Sequence, residues 1–179
     1  MTIYQAAGLE KQLAAAKSAS ISERAEKELM RSGSAGILLA LAGNPKLSSG
    51  TSWELLNKGR VELKKTGASA VLVALAKGTS WPAVQEELLL IARTQKVGGI
   101  WKGLASNAGK SPRIELELAK RGTSATKAML AMDAGISKEA CLAIWDQGVS
   151  DASFMLAANP TAIGYMHNGI KEFLAKVNR

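Results

Sequence analysis

"ISERAEKELMRSGSAGILLALAGNP", residues 21–45, returns later in the chain as "ISKEACLAIWDQGVSDASFMLAANP", residues 136–160. Both stretches are 25 residues long and align without a gap. Eight positions are identical: Ile-Ser near the start, an Ala, a central Gly, then Leu-Ala-x-Asn-Pro at the end. Residues 110–134, "KSPRIELELAKRGTSATKAMLAMDA", fit the same frame and keep the Ser, the central Gly and the Leu-Ala pair. Self-similarity at a fixed period of this size marks one supersecondary unit used several times.

The Leu-Ala pair tags each unit: Leu41-Ala42, Leu75-Ala76, Leu104-Ala105, Leu130-Ala131 and Leu156-Ala157. The last three tags are 26 residues apart, whereas the first two gaps are 34 and 29, so those units carry insertions. A Gly stands eight residues before the tag at Gly33, Gly67, Gly122 and Gly148, and only Lys96 departs from the rule. A half-period also shows, as Gly109-x-Ser111, Gly122-x-Ser124, Gly135-x-Ser137 and Gly148-x-Ser150 recur every 13 residues. Gly accepts the left-handed backbone that ends a helix. Ser two residues on is suited to accept the orphan N–H groups of the next helix. Pro112 fits a first helical position. Each unit is therefore expected to hold two helices of about three turns.

Helices this short are marginal alone and need neighbours to bury their Leu, Ala and Ile faces. The expected fold is all-α, an α-solenoid of about five two-helix repeats of 25–34 residues in a single domain, 1–179. Residues 1–20 form an N-terminal cap helix, 21–160 the repeats, and 161–179 a C-terminal cap helix that Thr161 is expected to cap. The last helix aligns Ile163, Met166, Ile170, Leu174 and Val177 on one face. "LAGNP" and "LAANP" tags separated by short helices resemble the variant leucine-rich repeats of bacterial proteins and, more broadly, HEAT-like arrays. That resemblance covers residues 21–160 and implies a right-handed stack of short helices acting as a binding surface, with no catalytic site. It departs from the family in repeat length and in the tags "LAKGT", "LASNA" and "LAMDA".

Apolar residues make up 47% of the chain and aromatic residues only 4%, so Ala, Leu, Ile and Val must fill the interior. Cys141 is the lone cysteine, which excludes an internal disulfide. The start, "MTIYQAAGLEKQ", lacks the basic and apolar regions of a signal peptide, and the longest apolar run, Ile37 to Ala42, is too short to span a bilayer. A cytoplasmic protein without a membrane partner is expected.

"GLASNAGKS", residues 103–111, comes close to a phosphate-binding loop. Its glycines enclose five residues where the loop needs four, and no strand is expected before it. No nucleotide and no other cofactor is expected. His167 is the only histidine, and with Cys141 it leaves too few soft ligands for a zinc site. Cys141 lies between Ala140 and Leu142 in a helical stretch and is expected in the interior. The pairs Glu86-Glu87 and Glu115/Glu117 do not share a helix face and are expected on the solvated surface, paired with Lys or Arg.

Charge is the strongest functional signal. Net charge is +8, and residues 46–127 account for all of it, with 14 Lys/Arg against 6 Asp/Glu; the flanks hold nine of each. Such asymmetry points to an acidic partner. The candidate binding residues are Lys58, Arg60, Lys64, Lys65, Arg93, Lys96, Lys102, Arg113, Lys120, Arg121 and Lys127. In a stacked array, equivalent positions lie side by side, so these cations are expected to form one stripe along a phosphate backbone. Trp53, Trp81 and Trp101 are candidates to stack on bases, against the commoner role of Trp as core. The expected function is a non-enzymatic scaffold for nucleic acid or a nucleoprotein complex. The alternative is an adaptor or inhibitor on an acidic protein surface. Third comes a helical-repeat DNA glycosylase-like enzyme, which would draw on Trp53, Trp81, Trp101, Trp145, Asp133 and Asp146.

Overall fold

A computed structural model describes residues 8–32, 34–148 and 150–166. Among them every regular element is an α-helix, and there is no strand. The chain forms two compact units, Met1–Ser111 and Pro112–Arg179.

The first unit holds α1 (Leu9–Ala16), α2 (Glu23–Ser32), α3 (Ala35–Ala42), α4 (Ser49–Thr66), α5 (Ala70–Gly78), α6 (Pro82–Thr94) and α7 (Gly98–Ala105). Helices α2, α4 and α6 touch in that order, and α1, α3, α5 and α7 touch in theirs. Each helix of the first row also packs on the following helix of the second row. The second unit holds α8 (Pro112–Arg121), α9 (Ser124–Ala131), α10 (Lys138–Trp145) and α11 (Asp151–Ala158), followed by helical residues 160–166. There α8 packs on α10 and α9 on α11.

The Leu-Ala tag supplies core residues to α3, α5, α7, α9 and α11. Leu41, Ala42, Leu75, Ala76, Leu104, Ala105, Leu130, Ala131 and Leu156 are all buried. Small residues let the second row of the first unit close tightly. A Cβ on Gly103 would lie 2.9 Å from the Val73 carbonyl oxygen, and one on Gly78 would lie 2.5 Å from the Gly43 carbonyl carbon.

Polar side chains join α3 to α1, α7 to α5 and α11 to α9. The Asn44 amide donates to the carbonyls of Ala16 and Ser18, both at 2.9 Å. Asn107 donates to Ala76 and Thr79 at 2.9 and 2.7 Å. Asn159 donates to Ala131 and Asp133 at 2.8 and 2.9 Å. All three are buried, and each donates to two carbonyls at or near the end of a helix, of which Thr79 also accepts from Gln85 and Asp133 from Ile136 N–H. Their Oδ1 atoms accept from Lys46, Gly109 and Thr161 N–H. The two tags without Asn keep that turn: Thr79 Oγ1 accepts from Trp81 N–H and Asp133 Oδ1 from Gly135 N–H. A short polar acceptor after Leu-Ala thus recurs in all five units.

First-row helices have their own joint. Glu26 accepts from the backbone N–H of Ser48 at 2.9 Å and from Thr51 Oγ1 at 2.7 Å. Gln85 accepts from Ser111 N–H at 2.9 Å, and Glu115 from Ser137 N–H at 3.3 Å. Each long polar side chain sits in the first turn or two of a helix, and Glu26 and Glu115 reach the residue just before α4 and α10. Cys141 occupies the position of Glu26 and Glu115 in the aligned frame and is fully buried. Burial pushes its thiol up to about 11, with the Glu115 charge adding to the effect.

Several expectations are corrected. Glu115 is buried, not solvated, because the joint needs its oxygens. The insertions lengthen first-row helices, and α4 runs to 18 residues. Of the 13-residue glycine series only Gly148 is left-handed, at φ 88°. Gly109 and Gly135 lie in the Asn and Asp turns instead. Ser137 and Ser150 cap α10 and α11, but Thr123 and not Ser124 caps α9. The closing helix is capped by Asn159, with Pro160 at its first position, while Thr161 Oγ1 donates to the Ala134 carbonyl. Gly33, His167, Ile170, Leu174 and Val177 lie outside the described residues.

Candidate acidic-partner interface

The cations of the first unit are placed mainly by α4. Ser48 caps this helix through Thr51 N–H, and Gly67, left-handed at φ 74°, ends it. Its buried stripe is Ser52, Leu55, Leu56, Gly59 and Leu63. The remaining residues fall on two flanks. Lys58 lies on one flank with Glu62, lining a groove of about 310 Å³ with Ala35, Leu38, Leu39, Ala70 and Val71. Lys65, seven residues on, shares that flank. Arg60 lies on the other, where it bonds Glu87 of α6 at 2.7 Å. Lys64 follows Arg60 by one turn.

Helix direction then decides which cations meet. Trp81, at the start of α6, donates its indole N–H to the Leu47 carbonyl at the start of α4, at 2.7 Å. With the Arg60–Glu87 pair further along, these contacts make α4 and α6 parallel. Their C-terminal turns lie at one end and carry Lys64, Lys65 and Arg93, with Lys96 just beyond. Lys58, Lys64, Lys65, Arg93 and Lys96 are exposed. Among the described residues Lys58, Lys64 and Lys65 make no ion pair. Lys102 lies exposed in the last turn of α7.

Lys96 also has a backbone role. It is left-handed at φ 54°, the only non-glycine residue so placed among those described. It therefore stands where Gly67 and Gly148 stand in their units, and the sequence exception is kept as a conformation. Cations in the last turns of α4, α6, α7 and α8 also complement the partial negative charge of those helix ends.

In the second unit Arg113 opens α8 and Lys120 and Arg121 close it. Arg121 pairs with Glu117 at 3.3 Å, and Lys127 on α9 donates to Gln147 Oε1. The two units differ sharply in charge. The first holds 15 Lys/Arg against 8 Asp/Glu, or +7, and the second 8 against 7, or +1.

Trp101 is 8% exposed and belongs to the core, which removes it as a stacking candidate. Trp53 and Trp81 remain 37% and 41% exposed. Asp133 serves its turn, and Asp146 ends α10. "GLASNAGKS" is the end of α7 and the Asn107 turn, with Gly103 packed on α5. No group of three or more His, Cys, Asp or Glu able to hold a metal occurs among the described residues. Nor is any helix there long and apolar enough to cross a membrane. No protein-family model, curated protein or solved structure matches the chain.

Proposed function

We propose that this chain is a non-enzymatic helical-repeat scaffold, five two-helix repeats stacked as a solenoid, that binds an acidic partner, nucleic acid or a nucleoprotein complex. The observation that carries the binding role is the convergence of Lys64, Lys65, Arg93 and Lys96 at one end of parallel α4 and α6. Four exposed cations at one edge raise the local concentration of a polyanion and release its counterions on binding. The repeated Asn joint supports the scaffold role, since Asn44, Asn107 and Asn159 each find carbonyl partners on the repeat or helix before their own. Resemblance to variant leucine-rich and HEAT-like arrays belongs to the same proposal.

Exposed Val61 and Leu90 on the same two helices favour a second reading, an adaptor on an acidic protein surface. A salt titration separates the two. The wild-type chain is expected to bind a labelled random duplex and a random strand with affinity that falls steeply between about 50 and 200 mM salt. Lys64→Glu/Lys65→Glu/Arg93→Glu is expected to lose at least about tenfold at low salt and to flatten that dependence. No affinity at low salt, or equal affinity for both proteins, overturns nucleic acid as the partner.

A further inference from the structure

The α4 flank that carries Arg60 and Lys64 also carries Trp53 and Asn57. Residues 53, 57, 60 and 64 follow the i, i+4, i+7, i+11 spacing that places side chains on one helix face. The stripe runs about 16 Å along the helix. At its N-terminal end stands Trp81. Its indole N–H is already satisfied by the Leu47 carbonyl, and its ring is 41% exposed. A tryptophan with its polar atom bonded and much of its surface in solvent is a preset flat platform. Trp53 is 37% exposed in a chain that buries Trp101. Arg60 is held in place by Glu87, so among the described residues the charge without an ion partner at the far end of the stripe is Lys64, at the same end of the helix pair as Arg93.

We infer that this flank of α4, with Trp81 at its head, is a site for single-stranded nucleic acid, with Trp53 and Trp81 stacking on bases and Lys64 and Arg93 taking phosphates. The inference rests on the proposed acidic-partner function and selects within it. A duplex hides its base faces in the stack and would leave both indoles idle. An acidic protein segment would satisfy the cations but offers no flat π-surface for the rings. A single strand presents both an unstacked base and a phosphate at each step.

The test measures binding of fluorescein-labelled oligothymidylate, a duplex of equal length and a polyglutamate peptide. The proteins are the full chain, Trp53→Ala, Trp53→Phe and Lys64→Glu. The strand is expected to bind tighter than the duplex. Trp53→Ala is expected to weaken strand binding about tenfold without changing its salt slope, and Trp53→Phe to restore most of the loss. Lys64→Glu is expected to lower the salt slope. Indole fluorescence of the wild-type chain is expected to be quenched by the strand and not by polyglutamate, with part of that quenching lost in Trp53→Phe. This readout holds even where Trp53→Ala does not fold.

A duplex preference overturns the inference alone, as does unchanged strand affinity in folded Trp53→Ala or strand binding without quenching. Polyglutamate bound in place of the strand makes the partner an acidic protein. No polyanion bound at low salt removes the proposed function itself.

Discussion

In the first unit α4 and α6 run to 18 and 13 residues, whereas in the second α8 and α10 stop at 10 and 8. Each unit has like joints: an Asn that donates to two carbonyls at or near the end of an earlier helix, and a carboxylate, Glu26 or Glu115, that reaches the residue just before α4 or α10. Beyond their tenth residues α4 and α6 carry Arg60, Lys64, Lys65 and Arg93 against Glu62, within a first unit at +7 against +1 for the second. In the second unit Arg121 is partnered by Glu117 and Lys127 by Gln147. In the first, Lys58, Lys64 and Lys65 stand without ion partners among the described residues. The longest helix, α4, is where these cations sit.

The largest expected effect tests how closely the first unit is packed. Gly78→Ala drives a methyl into the Gly43 backbone and is expected to destabilise the chain by about 3 kcal/mol or more in urea unfolding. Gly164→Ala in the second unit meets nothing within 4 Å and is expected to stabilise by about 0.5–1 kcal/mol. Equal effects at both sites would erase that contrast.

Next comes the shared joint. Asn107→Leu and Asn159→Leu each leave one carbonyl, that of Ala76 or Ala131, without its donor, and each is expected to cost about 1–3 kcal/mol. If one costs that much and the other nothing, the two units do not use the same part.

Alkaline pH separates the units in a different way. Cys141 is raised from 9.0 to about 11 by folding, so the native state holds the thiol proton more tightly. Its contribution is complete below pH 9 and is lost as pH rises towards 11. Wild type is expected to lose about 1–2 kcal/mol more than Cys141→Ala between pH 8 and 10.5. A thiol reagent at pH 8 is expected to label the unfolded chain and spare the native one. The aligned position in the first unit is Glu26, which carries no thiol. Identical alkaline profiles for wild type and Cys141→Ala would show that the thiol proton carries no linkage.

The smallest effect concerns Lys96. Lys96→Gly relieves a left-handed lysine and is expected to raise stability by about 0.5–1 kcal/mol, measured as a shift in the urea midpoint. Destabilisation would mean that the lysine side chain does more for the fold than its backbone strain costs.

The Leu-Ala tags, their spacing and the scarcity of aromatic residues determined by themselves that the chain is helical and where its core residues fall. Each tag pairs a large and a small apolar residue at a fixed place, and burial follows from that chemistry. Sequence also located the excess charge. It missed the Asn, Thr and Asp turn as one recurring device. Three residue types serve that role, and what they share is a short acceptor placed to bond the N–H two residues on. It misplaced Glu115 because a carboxylate reads as solvated until a buried donor across the helix pair is known. Only the tertiary structure decided which cations meet, because Arg60 and Lys58 are two residues apart yet face opposite neighbours. It alone also separated Trp101 from Trp53 and Trp81, since exposure depends on what packs against a helix face and not on the identity of the side chain.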